Sequence, residues 1–327
     1  MSDYAGSVLV SSAGRRVQLV RFFQRALADL GIRGKVITTD MHPDWSAASR
    51  LSDAAFKAPR VSSPEYASFL TALVKREGVR LIIPTNDHEL LVLCGLRDEL
   101  QSLGCTAVVS DIDLVRISRD KRKSNAWFRT IGCEPPRALD KNTLTYPCFV
   151  KPFDGSMSTG ARALLSPESV SADVLTDERL MFLEYLAPSQ FDEYTIDAYY
   201  DRGGVLRCLV PRKRLEVRSG EISKGIALRG KTYDYLAPRL ARVTGARGCL
   251  TFQFFASKTE DRWVASELNA RFGGGIPLTY GAGANFPEWL LREYVLGDTI
   301  DAFDGWKDRT AMVRYDDEVI FEVDAPA

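Results

Sequence analysis

The sequence predicts a protein of mixed α/β and α+β class, in which a parallel sheet is followed by an antiparallel sheet. In the first third of the chain, short β-rich runs alternate with amphipathic helical segments, which is typical of parallel strands joined by helices. Pro135 and Pro136 then interrupt the helical pattern, because proline cannot continue a helix. After them the chain consists mostly of strand-like runs, which favours an antiparallel sheet.

The N-terminal strands and helices are predicted from the spacing of apolar residues. Four β-rich runs are interpreted as strands, at 7–12, 35–40, 79–85 and 105–110. Three segments with apolar residues at helical spacing, each ending in glycine, are interpreted as helices at 17–31, 64–78 and 88–104. Crossovers of this length between strands indicate a parallel sheet covered by helices.

The second region begins after a further predicted helix at 113–132, which ends at Gly132. Two strand-like runs then surround a Gly/Ser loop in the segment 146–165. Further strands are predicted at 180–186, 194–201, 204–217 and 250–257, with a late helix at 285–297 and a hairpin-like segment at 311–323. The 327 residues suffice for two or three domains with cores of their own.

Composition excludes several classes of function. The 43 basic and 43 acidic side chains give no reason to expect nucleic acid or an anionic membrane as the main partner. The six cysteines show no C-x-x-C pair, and several lie in apolar runs, which favours reduced thiols in a cytoplasmic protein. With only two histidines, a zinc site built on histidine is not expected. We find neither a signal peptide nor an apolar run long enough to span a bilayer.

The segment SELNARFGGG, at 266–275, carries the strongest chemical signal. Residues two apart in a strand share a face, so Glu267, Asn269 and Arg271 are expected to project together. An antiparallel turn about position 260 would set Gln253 opposite Glu267 on that face. A carboxylate among amide oxygens suits Mg²⁺, and an arginine suits a phosphate. The alternative is a solvated strand face, and the three glycines favour the site because glycine lets the backbone approach a ligand.

Three further segments carry weaker signals. Lys151 precedes a Gly/Ser loop that includes Ser156, and such loops present backbone N–H groups to phosphate oxygens, although a plain hairpin turn explains the loop as well. The loop matches neither the P-loop nor the dinucleotide-binding glycine pattern. Glu184 lies among apolar residues and would accept from an adenine amino group, and Glu193 would accept from ribose hydroxyls. For either residue taken alone, a surface glutamate in a loop is the better explanation. Lys121 lies in a basic helical turn that could reach nucleotide phosphates, and a solvated helix face explains the basic residues equally well.

These signals, in this order, resemble the ATP-grasp superfamily over essentially the whole chain, and most closely its members similar to the large subunit of carbamoyl phosphate synthase. The segments SSAGRR, IIPTND, FVKPFDGS and ELNARFGGGIPLTYGAGANFP carry the resemblance. It implies an N-terminal Rossmann-like domain at 1–115, a small lid at 116–187 and a C-terminal domain with an antiparallel sheet at 188–327. The chain holds a single ATP-grasp unit, which puts carbamoyl phosphate as the product in doubt.

The resemblance also implies roles for individual residues, with ATP and Mg²⁺ (or Mn²⁺) as cofactors. The metal ligands would be Gln253, Glu267 and Asn269. Lys121, Lys151 and the Ser156 loop would contact the phosphates. Glu184 and the Leu186 backbone would hold adenine, and Glu193 would contact the ribose. Arg271 would steady the transferred phosphoryl group. Arg212 or Lys224 would contribute a basic group near the phosphates.

The expected activity is an ATP-dependent carboxylate–amine ligase, which forms an acyl phosphate and releases ADP and phosphate. Two alternatives are phosphorylation of bicarbonate or carbamate and a catalytically silent nucleotide-binding regulatory protein. A Rossmann oxidoreductase is disfavoured because the glycine fingerprint is missing. Substrates would be a small carboxylate and an amine, and the sequence leaves dimer formation open.

Substrate selection is assigned to the N-terminal domain. Arg15 and Arg16 stand where a strand meets a helix N-terminus, a position that suits an anionic substrate. Asn86 and Asp87 are expected in the same cleft. The alternative, that both arginines are merely exposed helix residues, is left open.

Overall fold

The computed structural model describes residues 6–155, 159–218 and 220–323. They form two compact units, one within Met1–Val109, Asn285–Asp301 and Val313–Ala327 and the other within Ser110–Ala284 and Ala302–Met312. The division into three domains at 115 and 187 stays a prediction. In the described parts of the chain, no helix is long and apolar enough to cross a membrane.

The first unit contains a five-stranded parallel sheet of order β3-β2-β1-β4-β5. Its strands are β1 (Ser7–Ser11), β2 (Val36–Asp40), β3 (Ala54–Lys57), β4 (Val79–Pro84) and β5 (Thr106–Ala107). Its helices are α1 (Val17–Asp29), α2 (Ala47–Arg50), α3 (Tyr66–Glu77), α4 (Glu89–Gly95), α5 (Arg97–Ser102) and α11 (Phe286–Leu291), which continues into a π-helical turn at Arg292–Leu296. The parallel sheet expected from the alternating pattern is therefore confirmed.

The second unit contains two sheets. The larger has the order β13-β12-β9-β10-β11-β14, and the smaller has the order β7-β6-β8. Its strands are β6 (Cys148–Pro152), β7 (Arg162–Leu164), β8 (Leu180–Glu184), β9 (Phe191–Tyr200), β10 (Leu206–Arg218), β11 (Glu221–Ala227), β12 (Gly248–Ser257), β13 (Trp263–Asn269) and β14 (Ala311–Val313). Its helices are α6 (Ile112–Ser118), α7 (Lys121–Thr130), α8 (Ala172–Thr176), α9 (Lys231–Leu240) and α10 (Ile276–Gly281). The pairings from β13 through β11 are antiparallel, as predicted.

Several predicted elements differ from the structure. The helix expected over 113–132 is broken, because Asp120 caps a new helix by accepting a hydrogen bond from the Arg122 backbone N–H. The helix expected over 88–104 is likewise two short helices that meet at Leu96. The hairpin expected over 311–323 is wrong, since the described part of that segment contains only the three-residue strand β14.

Candidate functional site

One face of the six-stranded sheet is polar, and the strand register shows which residues share it. Gln253 lies opposite Glu267 on one side and opposite Thr195 on the other, which confirms the predicted pairing about position 260. Thr195 in turn lies opposite Arg212. Because directly paired residues of antiparallel strands share a face, these four side chains form one polar row across four strands.

A second row lies beside the first. Thr251 is opposite Asn269 and Asp197, so the Asn269 amide lies on the same face as Glu267, two residues away. The intervening Phe252 and Leu268 pair on the other face and are buried. The sheet therefore separates an oxygen-rich face from an apolar one, as the alternation predicted.

The alternation is imperfect at Ser266. The register of β12 against β13 shifts there, so Glu267 pairs with Gln253 while Ala265 pairs with Phe254, and Ser266 is the extra residue of a bulge. Its backbone oxygen and Oγ accept hydrogen bonds from Lys151 Nζ at 3.2 and 3.3 Å. The bulge therefore brings a lysine of the small sheet against the strand that carries Glu267.

Arg271 does not continue the strand, which corrects the sequence expectation. The strand β13 ends at Asn269, and the Arg271 backbone N–H donates to the Asn269 oxygen at 2.9 Å. Arg271 Nη2 nevertheless donates to Asn269 Oδ1 at 3.3 Å, and Nη1 donates to the Phe272 oxygen at 3.0 Å. The guanidinium and the amide are thus brought together by a turn rather than by strand periodicity.

Two lysines lie near Glu267. Lys121 Nζ is 3.9 Å from Glu267 Oε1 and donates a hydrogen bond to the Gly155 backbone oxygen. Lys151 is only 8% exposed, and burial lowers the pKa of its ammonium to about 8, with Glu267 opposing that shift and Lys121 adding to it. Both lysines that the resemblance assigns to phosphate therefore lie near the Glu267 carboxylate. Ser156 lies outside the described residues.

Glu193 lies on the same face, opposite Phe255 of β12. Arg214 Nη1 donates to Glu193 Oε1. Burial raises the pKa of Glu193, Arg214 opposes that shift, and Glu267 adds to it. The Arg214 side chain is 8% exposed, and its Nε has no hydrogen-bond partner among the described residues. The predicted ribose contact of Glu193 stays a prediction.

Glu184 does not share the face of Lys151. Glu184 pairs with Cys148, whereas Lys151 pairs with Met181, so the two charged side chains lie on opposite faces of the small sheet. Glu184 Oε1 accepts from Arg262 Nη2 at 2.7 Å and from the Arg137 backbone N–H at 2.8 Å. The hydrogen-bond donors to Glu184, which we expected adenine to supply, are thus supplied by Arg262 and the Arg137 backbone. Adenine binding by Glu184 and by Leu186, which follows β8 and is half-buried, stays a prediction.

Arg212 is 1% exposed and forms an ion pair with Asp197, whose Oδ1 accepts from Arg212 Nη2 at 2.8 Å. Asp197 is fully buried and also accepts from Thr251 Oγ1 at 3.2 Å and Thr279 Oγ1 at 2.6 Å. In this arrangement Arg212 is a partner of a buried carboxylate, and its contact with a nucleotide stays a prediction. Lys224, the other candidate, pairs with Glu216 at 2.7 Å.

Two residues of the glycine triplet are closely packed within the protein, and the approach of the triplet to a ligand stays a prediction. A Cβ at Gly273 would lie 2.9 Å from Thr251 Oγ1, and one at Gly275 would collide with the Arg212 guanidinium. Thr251 Oγ1 also donates to the Arg271 oxygen at 3.1 Å. Two of the three glycines thus let the turn after β13 lie against the Asp197 cluster.

The four predicted substrate residues lie in the first unit, in the loops after β1 and β4. These strands are neighbours, and Thr85 Oγ1 lies 3.0 Å from the Ser11 oxygen and 2.8 Å from the Ser12 oxygen, which ties the two loops together. Within the loops Arg15 is exposed, and Arg16, Asn86 and Asp87 are half-buried. Their role in binding a substrate stays a prediction.

Sequence reasoning missed a buried acid at the start of α4 in this unit. Glu89 is fully buried, and each of its oxygens accepts a hydroxyl hydrogen bond, from Ser11 and from Ser12. Burial raises its pKa to about 7, and the hydrogen bonds from Ser11 and Tyr66 oppose the shift. The available signal was an acidic residue at the start of an otherwise apolar helix.

Two family models match the chain. Residues 8–108 match a PylC-like N-terminal domain, and residues 176–314 match a family described as ATP-grasp in the biosynthetic pathway with Ter operon. The 3-methyl-D-ornithine–L-lysine ligase of Methanosarcina barkeri is 31% identical over 147 residues, which cover 44% of this chain and 38% of that enzyme. The chain thus spans well under half the length of the curated relatives it matches.

Solved structures extend the likeness across the fold. The biotin carboxylase domain of the Hydrogenobacter thermophilus 2-oxoglutarate carboxylase matches 93% of this chain and 73% of its own, with a TM-score of 0.72 and 17% identity. An L-amino acid ligase from Bacillus licheniformis matches 93% of this chain and 77% of its own, with a TM-score of 0.68 and 14% identity. At these identities the likeness shows the fold alone. The ATP-grasp model over 176–314 and the PylC-like model over 8–108 confirm the resemblance to the ATP-grasp superfamily that the sequence predicted.

Proposed function

We propose that the protein is an ATP-dependent carboxylate–amine ligase that forms an acyl phosphate and releases ADP and phosphate. The observation that carries the proposal is the polar face of the large sheet. It brings Gln253, Glu267 and Asn269 together and sets Lys121 and Lys151 at the same carboxylate. Oxygen donors for a hard cation therefore lie beside cationic groups for phosphate oxygens.

The relatives support the choice of reaction. The curated Methanosarcina relatives are named 3-methyl-D-ornithine–L-lysine ligases, and one structural neighbour is named an L-amino acid ligase. Both names describe the joining of an amino acid to a second molecule. We carry over the reaction class, and we leave the two substrates open as a small carboxylic acid and an amine.

The donor set fits a magnesium or manganese ion that also binds phosphate. Gln253 and Asn269 offer neutral amide oxygens, and Glu267 offers the one carboxylate of the set. Among the described residues, no three His, Cys, Asp or Glu side chains cluster into a metal site, so the proposed site depends on the two amide oxygens beside Glu267. Further negative charge would come from the nucleotide, and the ion would neutralise phosphate oxygens.

The proposed reaction has two balanced steps. An oxygen of the substrate carboxylate attacks the γ-phosphorus of ATP, the bond to the β,γ-bridging oxygen breaks, and ADP leaves. An amine then attacks the acyl carbon, phosphate leaves with the electrons of the broken C–O bond, and the amine nitrogen loses a proton. Neither step needs a protein nucleophile, because positioning and charge neutralisation suffice for phosphoryl transfer.

The residues of this chain would divide the work between binding and neutralisation. Lys121, Lys151 and Arg271 would contact phosphate oxygens of the nucleotide and of the acyl phosphate. Glu193, the Leu186 backbone and the Ser156 loop would hold the ribose, the adenine and the phosphates. We also propose a cytosolic location, which the six free thiols support.

A screen for ADP release tests the proposal. Amino acids and small acids are presented in pairs with Mg²⁺ and ATP, and the product of any productive pair is identified by mass spectrometry. We expect ADP release that depends on both an acid and an amine, with an amide as product. Release with bicarbonate alone would favour the carbamoyl-phosphate-like alternative. No release with any pair, although the protein binds nucleotide, would favour a regulatory protein.

A further inference from the structure

Lys121 contacts two parts of the second unit, the start of the Gly/Ser loop and the strand β13 that carries Glu267. Its ammonium donates to the Gly155 oxygen, at the start of the Gly/Ser loop, and lies 3.9 Å from Glu267 Oε1. The side chain is 12% exposed and that of Glu267 is 26% exposed, so water reaches the pair only in part. An ion pair in such a place is screened less than one on the surface.

Glu267 is also within the electrostatic influence of a second lysine. Lys151 Nζ is held by the oxygens of Ser266, the residue next to Glu267, and Lys151 and Glu267 stabilise each other's charge. The other two proposed ligands are neutral amides. The only negative charge of the donor set is therefore already balanced by ammonium groups of the chain.

We propose that Lys121 is the counter-ion of Glu267 until nucleotide binds, so that the site excludes a free divalent cation and admits only the metal–nucleotide complex. This inference rests on the proposed function and adds an order of binding to it. A divalent cation placed at Glu267 lies within a few ångströms of the Lys121 ammonium and is repelled by it. A triphosphate reverses the balance, because its oxygens attract the ammonium and supply the charge that the metal requires.

Direct titration of Mn²⁺ into the nucleotide-free full chain tests the proposal, with calorimetry and electron paramagnetic resonance as readouts. For the wild-type protein we expect no saturable site tighter than millimolar. Adding a non-hydrolysable ATP analogue should then produce saturable Mn²⁺ binding. The Lys121→Met variant should bind Mn²⁺ alone at least tenfold more tightly than the wild type.

Two variants make the readout specific. Lys123→Met removes the same charge from an exposed position of α7, and we expect it to leave Mn²⁺ binding at the wild-type level. Adding Glu267→Gln to Lys121→Met should abolish the gain. Thermal unfolding of each variant, compared with the wild type, shows whether the fold is retained.

The outcomes separate this inference from the proposed function. A micromolar Mn²⁺ site in the wild type without nucleotide, or a folded Lys121→Met variant with no gain in Mn²⁺ affinity, would overturn the inference without bearing on the ligase proposal. Ordered binding as described, in a protein that joins no acid to any amine, would support the inference and contradict the ligase proposal.

Discussion

The two large sheets of this protein place polar groups in different ways. In the parallel sheet of the first unit, consecutive residues of β1 such as Val8, Leu9 and Val10 are all buried, so neither face has room for a polar site. Its largest group of polar contacts lies at the strand ends, around Ser12 and Thr85. In the antiparallel sheet of the second unit, two adjacent rows of side chains on one face carry them.

This difference decides what one can learn from a sequence. An antiparallel strand with one polar face shows its site as a period of two, and Glu267 and Asn269 are visible in that way. A parallel strand buried on both faces shows only that it is buried. Its functional groups belong to loops, and their spacing depends on strand neighbours that the sequence does not reveal.

Removing the one carboxylate of the proposed metal site should have the largest effect. Glu267→Gln replaces it by a neutral amide of the same size, and we expect turnover to fall by about a thousandfold because charge stabilisation at the phosphates is lost. The measurement is ADP release with the acid and amine found in the screen, together with thermal unfolding to confirm the fold.

Glu260→Gln is the matched control, since Glu260 is exposed in the turn between β12 and β13. It should leave turnover unchanged. A Glu267→Gln protein that releases ADP at the wild-type rate would show that the metal assignment is wrong and that the polar face of the sheet is merely solvated.

The buried carboxylate of the second polar row, Asp197, should matter for stability. Asp197→Ala leaves the Arg212 guanidinium buried without its partner, and losses of about 3–5 kcal/mol in the free energy of unfolding are typical of such changes. Asp192→Ala, near the start of the same strand β9, breaks partly exposed ion pairs with Lys213 and Lys258, and each lost pair should cost about 0–1 kcal/mol. Urea unfolding followed by tryptophan fluorescence compares the two. Equal losses would show that Arg212 finds another partner or reaches water.

The sequence predicted the class of both sheets, the family, and the pairing of Gln253 with Glu267, because all three follow from local periodicity and from one short turn. It could not predict the bulge at Ser266, since a shift in register leaves no mark in residue type. The Lys151 contact depends on that bulge, so its acceptor was missed as well.

Asp197 was missed for a different reason. Its partners Thr251 and Thr279 lie far along the chain, and no spacing rule connects them. The sequence offered a signal for the break before α7, because aspartate is a favoured helix N-cap and Asp120 stands there. The break was missed because the apolar pattern continues through this position. The strand β3 has only four residues, too few for a periodic signal.

The smallest effect concerns the strand-end cluster of the first unit. Burial raises the pKa of Glu89 from its ordinary value of 4.5 to about 7 in the folded protein, because it disfavours the charged form. The folded protein therefore holds more protons than the unfolded chain between these values. The loss of unfolding free energy caused by the ionisation of Glu89 is absent below about pH 4.5 and grows as the pH rises. It is complete above about pH 7, where it approaches roughly 3 kcal/mol.

Glu89→Gln removes the ionisable group. As the pH rises from about 4.5 to 7, the unfolding free energy of the wild type should therefore fall relative to that of this variant. Urea unfolding at a series of pH values measures it, with Glu65→Gln, which alters an exposed glutamate of the same unit, as the control. A difference that stays flat from pH 4.5 to 7 would mean that the serine hydroxyls and water stabilise the charged carboxylate fully. The strand-end cluster would then resemble the solvated groups of the antiparallel face, and the contrast between the two sheets would be one of position alone.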